Sequence, residues 1–158
     1  MTHPELGEGA IEWMGTYYKT ILSKAASGGA MSIVDSVSPV DSGPPLHVHE
    51  DADETFVMLT GECDFILNGE ITRAGPGETV FIPRGAPHTF RVVGDRPSRH
   101  LVILTPGGFE GFFAEMAEGQ FAIPAQIEQV IEAGARYHMA FTGPPLAAIQ
   151  AEMEGASA

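Results

Sequence analysis

The sequence predicts an all-β chain folded as a double-sheet jelly-roll barrel with helices after it, and three observations carry the prediction. Many short apolar runs of strand length are separated by glycine and proline turns. One such turn is Asn68-Gly69, a strong hairpin signal between apolar runs because both residues take positive φ readily. Beyond residue 106 the spacing of apolar residues turns helical. Short strands of this kind bury their faces by packing two sheets together.

Residues 1–27 form an N-terminal segment in which 11–22, with Trp13, Tyr17 and Tyr18, reads as either strand or helix before Ser27-Gly28-Gly29 breaks it. The barrel is expected over 28–106. Residues 31–37 alternate as a strand, and Pro39 and Ser42-Gly43-Pro44-Pro45 lead into the strand that carries His47 and His49. An acidic turn over 50–53 reverses the chain into the apolar run 55–59. Strand 63–67 follows, then the Asn68-Gly69 turn and a strand around Ile71 and Thr72. A strand over 79–82 is stopped by Pro83 and turned by Gly85, and His88 begins the returning strand. Gly94-Asp95-Arg96-Pro97 turns the chain into a last strand over 100–105.

Residues 107–158 are read as helices and tail. Helical spacing covers 109–117 and 125–137, with Ile127, Val130, Ile131 and Ala135 on one side of the second. Pro124 suits a first helical position and Gly119 an ending. The small, acidic residues from Glu152 onward are expected to fray.

Composition narrows the function. A chain of 158 residues suits one domain, and 44% hydrophobic residues argue against disorder. No apolar stretch approaches the length of a membrane span. Eight Lys and Arg against 21 Asp and Glu give a formal charge of −13 without a basic run, which makes nucleic acid a poor partner. The acidity is read as solubility. Cys63 stands alone, so no intramolecular disulfide forms, and its place in an alternating strand suits a small buried apolar residue. Residues 1–6 lack a basic region and an apolar core, so no secretory signal is expected and a cytoplasmic location is the default.

The chemistry concentrates in four residues. His47 and His49, two apart on a strand, point to the same face, so their imidazoles can converge on one ion. Glu54, after the acidic turn, returns a carboxylate beside them, and His88 at the start of a neighbouring strand offers a third imidazole. Three imidazoles and a carboxylate suit one divalent first-row transition metal, Fe, Mn, Co, Ni, Cu or Zn, with a position or two left for water, substrate or oxygen. Thiolate ligation has no partner for Cys63. His3, His100 and His138 have no motif around them and read as surface or hydrogen-bonded residues.

These residues sit in two motifs that resemble those of the cupin superfamily. Gly43, His47, His49, Glu54 and Gly61 match the first, with a shorter stretch before His47 than is usual. Gly77, Pro83, Gly85 and His88 match the second, where Val92 replaces the closing asparagine. From residue 28 to about 113, and weakly through 141–146, the chain is similar to small single-domain bacterial cupins related to quercetin 2,3-dioxygenase. The resemblance implies the double-stranded β-helix of the cupin barrel, metal ligation by His47, His49, Glu54 and His88, and pairing of barrels as a homodimer, for which the apolar N-terminal segment is a candidate interface.

It also implies a dioxygenase acting on an enolic or phenolic, flavonol-like small molecule with O2, in which Glu54 is both ligand and general base and so needs a carboxyl pKa above that of a tightly held carboxylate. On strand parity Phe56 and Met58 share the inward face with Glu54, and Phe90 shares it with His88. They line an apolar substrate pocket or fill the barrel core. Two further readings stand beside the oxygenase: a non-catalytic cupin that binds metal and a small ligand, and a metal-dependent isomerase, which would want inward polar and basic groups.

Overall fold

Period-two burial runs along the central strands, as alternating side chains of a sheet with one covered face require. Along Ser98–Thr105 every second residue is buried, namely Ser98, His100, Val102 and Leu104. Along Asp53–Thr60 the buried residues are Glu54, Phe56 and Met58. The computed structural model describes residues 1–157, so Ala158 at the end of the expected tail lies outside the described residues.

In chain order the strands are β1 (Thr2–His3), β2 (Gly7–Glu8), β3 (Ile11–Trp13), β4 (Thr16–Leu22), β5 (Ser32–Ser38), β6 (Pro45–His49), β7 (Asp53–Thr60), β8 (Glu62–Leu67), β9 (Glu70–Ala74), β10 (Thr79–Ile82), β11 (His88–Val93) and β12 (Ser98–Thr105). Helices α1 (Glu110–Gly119) and α2 (Ile127–Arg136), strand β13 (Met139–Pro145) and helix α3 (Leu146–Ser157) follow. One antiparallel sheet has the order β10-β7-β12-β5-β4-β3 and the other β13-β6-β11-β8-β9, while β1 pairs with β2. The fold is the all-β double-stranded β-helix expected, with Phe56, Met58, Phe65, Val34, Val92 and Leu104 in the core between the sheets.

The sheets draw on residues outside 28–106. In the N-terminal segment the ambiguous run 11–22 is a hairpin, β3 and β4, turned at Met14 (φ 50) and Gly15 (φ 83). Two successive positive φ angles fit the right-handed twist of the flanking strands. At the other end β13 pairs with β6. It lies within residues 107–158, expected as helices and tail, and its Pro144 and Pro145 are tolerated because one side of an edge strand has no ladder to supply.

The helices fall close to their expected places, with two corrections. Pro124 precedes α2 by three residues, where its carbonyl accepts from the Ile127 N–H at 3.2 Å. Gly119 ends α1 as expected, followed by Gln120 as its left-handed cap at φ 49. The tail is also corrected: residues 152–157, expected to fray, form the second half of α3. Leu146 is buried at its start, and Gln150 ties it to the sheet through Arg91 (3.0 Å) and Asp64 (3.1 Å). Among the described residues no helix is long and apolar enough to cross a membrane.

The motif glycine Gly61 has a physical reason. It joins β7 to β8 at φ 77, and a Cβ there would lie 2.5 Å from the Pro97 carbonyl oxygen and 2.7 Å from the Ser98 Cα. Both neighbours are backbone and cannot yield as a side-chain tip can. Gly61→Ala is expected to lower stability by about 2–4 kcal/mol, read as a lower urea midpoint at unchanged slope. An unchanged midpoint would show that the two turns do not press on each other. Gly43 is tighter still, since a Cβ there would run into the Phe90 carbonyl.

Candidate metal centre

The four residues singled out in the sequence meet at one end of the barrel, between the two sheets. His47 and His49 lie on β6, and His88, at the start of β11, is paired with His47. Glu54 comes from the opposite sheet, near the start of β7, where it is flanked by Ile82 and Leu104. Glu50, Asp51 and Ala52 carry the chain across the mouth. The Glu50 N–H donates to the His138 carbonyl (2.9 Å) and the Gly85 N–H to the His49 carbonyl (2.7 Å), so both flanking loops are fastened to the ligand strand.

One ligand atom from each of His47, His49, Glu54 and His88 can be chosen so that all lie within 4.8 Å of one another. Donors at about 2.1 Å from a common ion are at most about 4.2 Å apart, so a contraction of a few tenths of an ångström would close the set around one cation. All four are buried, with relative exposures of 8%, 3%, 4% and 1% in chain order. A buried charge and three buried imidazoles are costly unless they are paired with each other or with a cation.

The hydrogen bonding indicates which ring atoms face the centre. His47 Nδ1 lies 2.8 Å from the Pro45 carbonyl and His88 Nδ1 lies 2.9 Å from the Ala86 carbonyl. A carbonyl only accepts, so each Nδ1 carries the proton and donates, which leaves Nε2 of His47 with a lone pair and Nε2 of His88 to supply one once an ion displaces the proton it shares with Glu54. His88 Nε2 is 2.9 Å from Glu54 Oε1, and His49 Nε2 is 3.2 Å from Glu54 Oε2. His49 Nε2 is buried and makes no hydrogen bond. An orphaned imidazole nitrogen facing a carboxylate and two further imidazoles is what a metal site presents to its ion, and the residues present fit a divalent transition metal.

Electrostatics agree. Burial, helped by the neighbouring imidazoles of His88 and His49, pushes His47 down to about 3, so it stays neutral and able to donate a lone pair. Burial would raise the Glu54 carboxyl, but His49 and His88 overrule it and hold it well below the usual carboxylate range. Burial likewise disfavours charge on His88, yet the Glu54 carboxylate outweighs it and raises His88 above an ordinary histidine. The centre attracts positive charge where Glu54 meets His88. The raised Glu54 pKa that a strong general base would want is not found, because two imidazoles stabilise its anion.

Phe56 lies one inward position deeper than Glu54 on β7, Met58 two deeper, and Phe90 one deeper than His88 on β11. Phe56 and Met58 are 3% and 0% exposed, and Phe90 is half-buried. Phe56 packs against Phe65 (5.0 Å) and Phe90 (5.7 Å), so these residues form a floor beneath the four-residue cluster.

Sequence reasoning missed the roof and part of the floor. Phe109 sets its ring edge-on to His49, with centroids 4.5 Å apart at 86°, and Phe141 on β13 lies 6.4 Å from His47. Phe109 could have been marked, since it follows Gly107-Gly108 directly after the strand that runs beside Glu54. His100, expected as a surface or hydrogen-bonded residue, is 1% exposed in the barrel core, with Nδ1 3.2 Å from Ser98 Oγ and its ring 5.2 Å from Phe90. Burial pushes it down to about 4, so it is neutral there. The strand around His100 is apolar on both parities, and alternation could not tell which way the ring points. Cys63 is buried as expected, with its thiol pushed up to about 11.

Residues 35–104 match the cupin domain family, and the chain belongs to the cupin superfamily. A stretch of 115 residues, 72% of this chain, is 32% identical to quercetin 2,3-dioxygenase of Bacillus subtilis and spans 34% of that protein. A stretch of 60 residues, 37% of the chain, is 43% identical to the dimethylsulfoniopropionate lyase DddQ of Ruegeria pomeroyi and spans 29% of it. Among solved structures, that of a predicted oxalate decarboxylase from Thermotoga maritima superposes with a TM-score of 0.54 at 26% identity, covering 58% of this chain and 80% of that one. The chain spans about a third of the length of the two curated relatives.

Proposed function

We propose that this cupin is a metal-dependent dioxygenase acting on an enolic or phenolic small molecule of flavonol-like shape. The observation that carries the reading is the enclosure of the His47/His49/Glu54/His88 set between aromatic side chains, Phe109 above and Phe56 and Phe90 below. The similarity to quercetin 2,3-dioxygenase over 72% of the chain supports it.

A divalent ion held by the four side chains would supply Lewis acidity toward a bound enol or phenol and a site for oxygen. The protein's own part is then limited and specific. Carbonyl-anchored His47 and His88 keep their lone pairs directed at the centre. Glu54, ionised and buried, accepts the hydroxyl proton of the substrate at a carboxylate oxygen. Its low pKa matches an acidified hydroxyl rather than an ordinary alcohol or C–H. The rings exclude water, so charge developing on the substrate feels the fixed imidazoles and carboxylate rather than solvent.

Basic side chains near the barrel are already engaged. Arg84 is paired with Asp53 (3.2 Å), and Arg91 with Asp41 (3.0 Å) and Gln150 (3.0 Å). That favours an uncharged aromatic over the sugar or keto acid of an isomerase. Oxygen uptake by metal-loaded protein against a panel of flavonols and other enolic aromatics tests the reading. Stoichiometric uptake with at least one of them is expected. Fully loaded protein that takes up no oxygen across the panel would give way to a non-catalytic cupin that binds metal and ligand.

A further inference from the structure

We infer that Phe109 is the gate residue of the metal centre, closing the barrel mouth with its ring and opening it by a swing about Gly108; this rests on the reading of the four side chains as ligands. The ligands sit at the end of the barrel where β6 finishes and β7 and β11 begin. From below, the way to them is filled by Phe56, Met58, Phe65, Val92 and His100, each no more than 3% exposed. Traffic must therefore come over the mouth.

The chain that leaves β12 crosses that mouth. Thr105 pairs with Asp53, the neighbour of Glu54, and four residues later the Phe109 ring lies against His49. With ligands 1–8% exposed, a small molecule reaches the nitrogen and oxygen donors only after this cover moves.

The local backbone separates a part pinned to the barrel from a part held only by the start of α1, where the Gly108 carbonyl accepts from the Gly111 N–H (3.1 Å) and the Phe109 carbonyl from the Phe112 N–H (3.0 Å). Gly107 is pinned: its N–H donates to the Gly29 carbonyl at 3.2 Å, and a Cβ there would lie 2.6 Å from the Met31 carbonyl carbon. Gly108 has φ 137, a region open to glycine and strained for other residues. Directly after this pivot stands Phe109, and directly after that Glu110. The Glu110 carboxylate accepts from the Gly108 N–H (2.8 Å) and the Lys24 N–H (2.6 Å). The bond to Lys24 is exposed and the one to Gly108 part-buried, so water can replace at least the first, and Glu110 acts as a clasp that holds the start of α1 down without locking it.

What Phe109 leaves behind when it turns is also aromatic. Its ring stacks on Phe112 at 4.9 Å and 25°, and Phe113 and Tyr137 lie 5.2 and 6.5 Å away. Phe112 rests edge-on against Trp13, and Phe113 stacks on Tyr18 at 4.3 Å. The opened mouth is edged by rings anchored to β3 and β4, which suits a flat apolar guest.

Zinc exchange reads the gate without any turnover. Protein loaded with zinc is mixed with excess 1,10-phenanthroline, and zinc uptake by metal-free protein is followed separately, in wild type, Phe109→Leu and Glu110→Gln. Both release and uptake are expected to rise about ten-fold in the variants while their ratio, the affinity, stays within about three-fold. Glu110→Gln leaves the buried rings untouched and keeps the test valid should Phe109→Leu fold poorly. Rates that do not change in either variant would overturn the gate. So would faster release with an equal loss of affinity, which would make Phe109 a prop for His49. Wild-type protein that takes up no zinc, manganese or nickel would instead remove the ligand reading, and the gate with it.

Discussion

Saturating metal should raise the melting temperature of the wild-type protein and leave that of His88→Ala nearly unchanged. An ion present at about 100 times its Kd adds about 2.7 kcal/mol to the unfolding free energy, since it binds the folded chain alone. For a domain of this size that is a rise of about 5–11 °C. His88 is the sensitive position because its Nδ1 is held by the Ala86 carbonyl and its Nε2 faces Glu54 at 2.9 Å. Removing the ring deletes a donor and leaves a buried carboxylate with one partner fewer, which costs the metal-free protein about 3–5 kcal/mol as well. His47→Gln is the companion variant, because His47 is neutral and pairs with no charge. It should lose the metal-dependent rise with a smaller cost to the metal-free fold. An equal rise in wild type and both variants would place the ion elsewhere.

Glu54→Gln should separate binding from chemistry. Glutamine keeps a carbonyl oxygen where the carboxylate stood, so part of the metal affinity survives. It cannot take a proton, so turnover of an enolic substrate should fall by about 10²- to 10⁴-fold. The low pKa imposed on Glu54 by His49 and His88 sharpens the expectation, since the carboxylate begins the cycle ionised. Turnover equal to wild type at equal metal content would remove the base role and leave Glu54 as ligand only.

The clustering of His47, His49, Glu54 and His88 was legible because its information is local. His47 and His49 share a strand face by alternation, Asn68-Gly69 shows its two positive φ angles (50° and 84°), and the glycines and prolines around His88 mark where β11 begins. What escaped was set by partners far along the chain. The 11–22 run carries aromatic residues that serve a strand or a helix equally well, and only the pairing of β4 with β5 decides the matter. β13 exists because β6 offers it an edge, within a stretch expected as helices and tail. α3 is held by Gln150 reaching Arg91 and Asp64, polar contacts that no periodicity signals. His100 sits in a run apolar on both faces, so its burial among Phe56 and Phe90 follows from register with β5 and β7 rather than from its neighbours in sequence.

The substrate side was harder for a related reason. Phe56 and Met58 have the parity of pocket residues and the burial of core residues, with the half-buried Phe90 packed against them, so one set of side chains serves as the floor of the site and the filling of the barrel. Phe109 is reached only by following the chain past the end of β12 and over the mouth, a tertiary path that neither motif contains.

The central claim is that His47, His49, Glu54 and His88 hold one ion, and X-ray absorption at the metal edge of loaded protein addresses it most directly. The predicted spectrum has three imidazole nitrogens and a carboxylate oxygen at about 2.0–2.2 Å, at one ion per chain by metal analysis. Protein that holds well under one ion per chain after equilibration with excess metal, or a spectrum with no more than one imidazole, would contradict it.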